Sequence, residues 1–236
     1  MNGLPNSSAK ARARAESPRP PDDDGSATAP RASSEFLAGL ISQVGSPPLL
    51  LSAGIVALAS RLGRADAWDY AGLLILLTVV TPMLHLAWLC GRGEVADLEV
   101  QRREERIKPM LFSTLCGGLA WLLLALGNAP VGMALVAGAL WVQSVAILGI
   151  TLRWKISVHS ATAAAMGTLV WFVLGTPLLL ALGVPAVAWA RVRLGRHSPA
   201  QTVAGALLGV LVFGVALSGV DQGRGIGSAL LSKILS

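Results

Sequence analysis

A chain of 236 residues that is 53% hydrophobic and 14% charged, with a mean hydropathy of +0.63, reads as a polytopic membrane protein and not as a soluble domain. The formal charge of +6 does not mark a nucleic-acid binder, because lysine and arginine gather in loops between apolar blocks and form no stripe interleaved with exposed aromatics. Cys90 and Cys116 sit inside apolar segments without metal-ligand spacing and read as buried, unreactive side chains.

Residues 1–35 are rich in Ser, Ala, Pro and Arg, carry an Asp22-Asp23-Asp24 run and cannot build a core, so a disordered tail is expected there. No apolar run follows the first residues, and no cleaved signal peptide is expected. Phe36 to Val44 reads as a short amphipathic turn at the interface, before Pro47-Pro48.

Apolar blocks long enough for helices then recur at 48–61, 69–91, 110–128, 130–150, 159–175, 177–190 and 199–219. Asn128-Ala-Pro130 and Gly175-Thr-Pro177 are turns in which proline opens the next helix. Ser160 to Gly167 is dominated by small residues and suits close helix packing. The tryptophans fall largely near span ends and read as interfacial anchors.

The expected fold is all-α, a polytopic transmembrane helical bundle with a six-helix core and a seventh span on its N-terminal side. Its parts are a tail at 1–35, an interfacial turn and first span at 36–68, a catalytic core at 69–220 and a short tail at 221–236.

Two spans separate Arg102–Pro109 from Lys155–His159, and two more separate His159 from His197. Two crossings return a chain to the side it left, so these three polar segments are expected on one side. That side holds most of the Lys and Arg outside the tail, which predicts a cytoplasmic face in a multi-pass protein of the plasma membrane.

The chain has three histidines. His85 lies inside a span beside Pro82 and Trp88 and reads as a packed core histidine. His159 and His197 end basic segments, Lys155-Ile-Ser-Val-His159 and Arg191-Val-Arg-Leu-Gly-Arg-His197, at the starts of apolar stretches.

Two imidazoles ringed by cations suit transfer of a phosphoryl group, whose charge needs positioned donors. Gln201 stands four residues after His197, on the same helical face, where its carbonyl can accept one ring N–H and free the other nitrogen as nucleophile. His159, at a helix start, is placed to protonate a leaving oxygen, and Ser157 to donate to a phosphoryl oxygen. Arg102, Arg103 and Arg106 alternate with Glu99, Glu104 and Glu105, a pattern that a charged interfacial helix explains nearly as well as a phosphate site. Asp97 is a candidate to orient one of these arginines.

These segments resemble the motifs of the type 2 phosphatidic acid phosphatase (PAP2) superfamily in its membrane-bound branch, over roughly residues 70 to 220. Ile156-Ser157-Val158-His159 is similar to the family's Pro-Ser-Gly-His. Ala190-Arg191, five residues, His197, three residues and Gln201 are similar to its Ser-Arg, His and Asp pattern, with glutamine where the family has aspartate. Arg102 to Pro109 is similar to the cation and Arg-Pro of the first motif, with Lys108-Pro109 in place of Arg-Pro.

The resemblance implies His197 as nucleophile, His159 as acid, and Ser157, Arg191, Lys108 and Arg102 as phosphate-binding groups. Arg106 and Lys155, in the same basic segments, join them as phosphate-binding candidates. It implies metal-independent, cofactor-free hydrolysis of a lipid phosphate or prenyl (pyro)phosphate through a phosphohistidine. The alternatives are a phosphotransferase to a sugar or lipid hydroxyl, and a non-catalytic protein that binds or transports lipid phosphates. The expected partner is a membrane lipid phosphate and not nucleic acid, with a homo-oligomer left open.

Overall fold

The structure is a computed structural model that describes residues 29–97, 99–100 and 102–221; the expected tail at 1–28 and at 222–236 lies outside them. The chain divides into Met1–Ser34 and Glu35–Ser236. The described part of the first unit is the helical start of α1 from Ala29.

The described residues are helical, with no strand. Helix α1 (Ala29–Val44) replaces both the last residues of the expected tail and the expected turn at 36–44. Phe36, Leu37, Leu40, Ile41 and Val44 recur at helical spacing, and no glycine–proline break intervenes before Gly45. The chain bends by 45° into α2 (Pro47–Leu62), whose two opening prolines need no N–H partner in a first turn.

Helix α3 (Asp66–Gly91) carries a π turn over Leu76–Val80, directly before Thr81-Pro82. A second π turn, Leu179–Gly183, stands before Val184-Pro185 at the head of α7 (Val184–Arg193). In both places proline withholds an N–H, and its ring crowds the carbonyl four residues back, so the turn before it widens. The remaining helices are α4 (Arg103–Leu126), α5 (Val131–Thr151), α6 (Val158–Leu174) and α8 (Pro199–Asp221).

This is the apolar bundle of a polytopic membrane protein. Among the described residues four helices, Asp66–Gly91, Arg103–Leu126, Val131–Thr151 and Pro199–Ser218, are long and apolar enough to cross a membrane, or five if bent α1 and α2 count as one span. Seven full-length spans are therefore not what the helices provide: α2 has 16 residues, α6 has 17, and α7 has 10, or 15 with the π turn that runs into it. Leucines such as Leu111, Leu115, Leu207 and Leu211 stay exposed on outer faces, as lipid-facing residues do.

Helix α6 is the axis of the bundle; every residue from Ser160 to Leu169 is buried. It packs most extensively on α8, and two glycines four residues apart permit the approach. A Cβ on Gly205 would run into the Ser157 carbonyl oxygen, and one on Gly209 into the Ala161 carbonyl oxygen. The apolar core continues through Ile55, Leu74, Leu124, Met133, Leu169 and Phe213.

The tryptophans are not all interfacial. Trp121 and Trp141 lie within α4 and α5 and stack on each other at 4.9 Å between centroids, against Gly118 and Gly138. His85 is half-buried and stacks on Phe112 at 4.0 Å and on Trp88 at 5.8 Å, as a packed histidine should.

Candidate active site

The starts of α6 and α8 carry the two histidines, and the chain ties these starts together. Ser157 caps α6 by accepting from the Ser160 N–H at 3.3 Å, and the Ser157 N–H donates to the Gln201 backbone carbonyl at 3.2 Å. The turn before α8 closes on itself, with the Arg196 N–H donating to the Arg191 carbonyl at 3.0 Å and Gly195 taking a positive φ of 65°.

His197 is 7% exposed, and its Nδ1 lies 3.0 Å from Gln201 Oε1. The same Oε1 accepts the Ser198 backbone N–H at 3.2 Å, which identifies that atom as the amide oxygen. Nδ1 must then carry the proton, and Nε2 is left with its lone pair. Burial holds the His197 imidazolium well below the usual histidine range, to about 4; the Gln201 contact works the other way, and Arg106, Lys155 and Arg191 add to the depression. A neutral ring with a free Nε2 is the form a nucleophile needs.

His159 and His197 line one cavity of about 490 Å³, together with Arg106 and Arg191. Arg191 is 1% exposed; its Nη1 donates to Ser42 Oγ at 2.8 Å and its Nη2 to Glu99 Oε2 at 3.4 Å, while its buried Nε has no hydrogen-bond partner. The Arg196 guanidinium also pairs with Glu99 Oε2 at 3.2 Å, a charge contact whose N–H is not aimed along the line.

Arg106 is buried at the first turn of α4 and donates to the carbonyls of Val100 at 2.7 Å and Ile156 at 3.4 Å. Val100 presents its carbonyl from a left-handed conformation, φ 45°, that β-branched residues rarely adopt. The bond from Lys155 Nζ to the Arg196 carbonyl, 2.9 Å, places that ammonium beside the same cluster. Burial, then the charges of Arg106, Arg191 and Arg196, push its pKa down.

The remaining expected residues stand elsewhere. Ser157 is fully buried as a helix cap and does not line the cavity. Lys108 is exposed and pairs with Glu94 at 2.8 Å, and Arg102, also exposed, faces Glu105 at 3.7 Å. Neither lines the cavity. Of the first basic segment, Arg106 is the cation that reaches it.

Two participants escaped the sequence reading. Glu99 precedes α4 and is no part of a charged helix; its carboxylate sits on Arg191 and Arg196, while Asp97 accepts from the Glu99 N–H at 2.8 Å and adds its charge near Arg106. Ser42 holds Arg191 from α1, 149 residues away. No local pattern around either residue announces such a partner.

Away from the charged end the cavity runs between α2, α3, α4 and α5, past Leu51, Pro82, Met83, Leu86, Met110 and Leu140. One end is cationic and carries two imidazoles; the body is mostly apolar. Among the described residues no group of three or more His, Cys, Asp or Glu side chains is placed to hold a metal ion.

Residues 151–223 match the family model described as PAP2 superfamily, and the chain carries a PAP2-superfamily domain there. That stretch contains His159, Arg191, His197 and Gln201, but not the Arg102–Pro109 segment. Comparison with curated proteins and with solved structures finds no match.

Proposed function

We propose that the protein is a metal-independent phosphatase of lipid phosphates. The observation that carries this reading is one cavity in which His159, His197, Arg106 and Arg191 meet an apolar body. A phosphoryl group at the cationic end leaves its lipid alcohol in the apolar part, which suits a single-molecule amphiphile better than a soluble phosphate. The PAP2-superfamily domain over 151–223 supports the same chemistry.

In the proposed reaction, His197 Nε2 attacks phosphorus in line while the bond to the lipid oxygen breaks. The departing oxygen takes a proton from the His159 imidazolium, a form that a dianionic phosphate beside it favours. Water then attacks the phosphohistidine, giving inorganic phosphate and restoring Nε2, with His159 accepting the water's proton. The unpartnered Arg191 Nε is available to a phosphoryl oxygen, and the phosphoryl group competes with Glu99 for the rest of that guanidinium.

Gln201 fixes the ring but brings no negative charge to the imidazole it holds, so this reading expects a slower enzyme than one with a carboxylate there. The site faces the cytoplasm in this proposal, because Arg102, Arg103, Arg153, Lys155, Arg193 and Arg196 gather at its end of the bundle.

The test is phosphate release by purified full-length protein from phosphatidic acid, prenyl phosphates and prenyl pyrophosphates, with chelator present. Release that persists in chelator and disappears in His197→Ala supports the reading. No release from any of them, or release that His197→Ala retains, overturns it.

A further inference from the structure

Below the histidines the cavity is not uniformly apolar. Thr78, Ser113 and Ser144 line it from α3, α4 and α5. Each hydroxyl donates its proton to a backbone carbonyl of its own helix: Thr78 to Leu74 at 2.7 Å, Ser113 to Pro109 at 2.8 Å and Ser144 to Trp141 at 2.8 Å. What these groups offer to the cavity is oxygen lone pairs, and no free proton.

Gln143 lies in the same wall, 4% exposed, and its buried Oε1 has no hydrogen-bond partner. An unmade hydrogen bond inside an apolar bundle is costly, and leucine or methionine would fill the place without that cost. Gln143 stands one helical turn, about 6 Å, before Ile147 on α5, and Ile147 packs on Ile156 and Ala161 beside His159. An unpaired carboxamide thus stands a short way down the cavity from the expected phosphate position.

We propose that Gln143 is a specificity-determining residue whose carboxamide hydrogen-bonds a hydroxyl or amide on the lipid body, a few bonds from the phosphate. The site then favours lipid phosphates carrying such a group over prenyl phosphates, which have none at that depth. This inference rests on the lipid phosphate reading and narrows its substrate class. The discrimination is of the stronger kind, because a ligand without that group leaves the buried carboxamide unpaired.

The test measures binding, so that it stands apart from turnover. The probes are a non-hydrolysable phosphonate of a monoacylglycerol phosphate, with its free hydroxyl, and the same phosphonate without that hydroxyl. Both are titrated onto detergent-solubilised full-length protein as wild type, Gln143→Leu and Gln143→Met.

The wild type is expected to bind the hydroxylated probe at least about tenfold more tightly, and both variants to bring the ratio within about twofold of unity. Melting temperatures of the variants no lower than wild type identify folded protein, since an apolar side chain relieves an unpaired acceptor. A wild-type ratio near unity, a ratio unchanged in both variants, or no binding of either probe overturns the inference. A ratio that collapses as expected while wild type releases no phosphate from any lipid keeps Gln143 in its role and removes only the hydrolase reading.

Discussion

The paired starts of α6 and α8 and the segment from Arg92 to Lys108 are both polar and both rich in cations, yet they are held by different forces. At the helix starts each functional group is fixed by buried neighbours: Ser157 caps, Gln201 grips the His197 ring, and Gly205 and Gly209 let the two backbones approach. In the other segment most charges pair at the surface, as in Arg92 with Glu94, Arg103 with Glu104 and Lys108 with Glu94. Exposed pairs of this kind contribute little, about 0–1 kcal/mol each. The first region is rigidly held, as the proposed reaction needs, and the second supplies mainly a charged rim, with Arg106 and Glu99 reaching inward.

Breaking the fixed region should cost most. His197→Ala is expected to reduce phosphate release by about a thousandfold or more, measured with initial rates on the best lipid phosphate, because His159, the other imidazole of the cavity, serves as the acid in the proposed reaction and does not replace Nε2. Gly209→Leu should prevent α8 from seating on α6. Its expected signature is loss of monodisperse protein in size-exclusion chromatography, through overpacking of at least about 1–3 kcal/mol.

The rim divides into one strong and one weak prediction. Arg106→Ala removes a buried guanidinium that joins Val100 and Ile156 to the cavity wall, and release should fall by about tenfold to a hundredfold. Lys108→Ala removes an exposed ammonium outside the cavity, and the same assay should change by no more than about twofold. Equal losses in the two variants would erase the distinction between the regions.

Gln201→Asp sharpens the comparison within the fixed region. With His197 held near 4, the ring is neutral across the range above that pH, and the acid limb of kcat/KM in wild type is expected there. A carboxylate at 201 favours the imidazolium, so the limb should move to higher pH by about one unit or more, and kcat should rise by about tenfold. A pH–rate profile of the two proteins side by side reads both effects.

Much of the helical site was legible along the chain. A histidine after a basic turn and before Ser198-Pro199, with glutamine one turn on, dictates a capped helix start with the two side chains on one face. The same reasoning could not rank the cations Arg102, Arg106 and Lys108, which differ in which of them faces inward once α4 is packed. Nor could it see that Glu99 meets Arg191, 92 residues away, or that Ser42 does so from the far end of the chain.

Apolar block lengths, proline positions and the two histidine segments set the class of molecule and the ends of its helices, because hydrophobic matching to a bilayer and helix capping act over a few residues. The bend at Gly45, the short buried α6, the glycine-permitted crossing of α8 and the cavity between α2 and α5 were decided by packing. Steric fit and the pairing of buried charge depend on which surfaces meet, and separation along the chain carries no record of that.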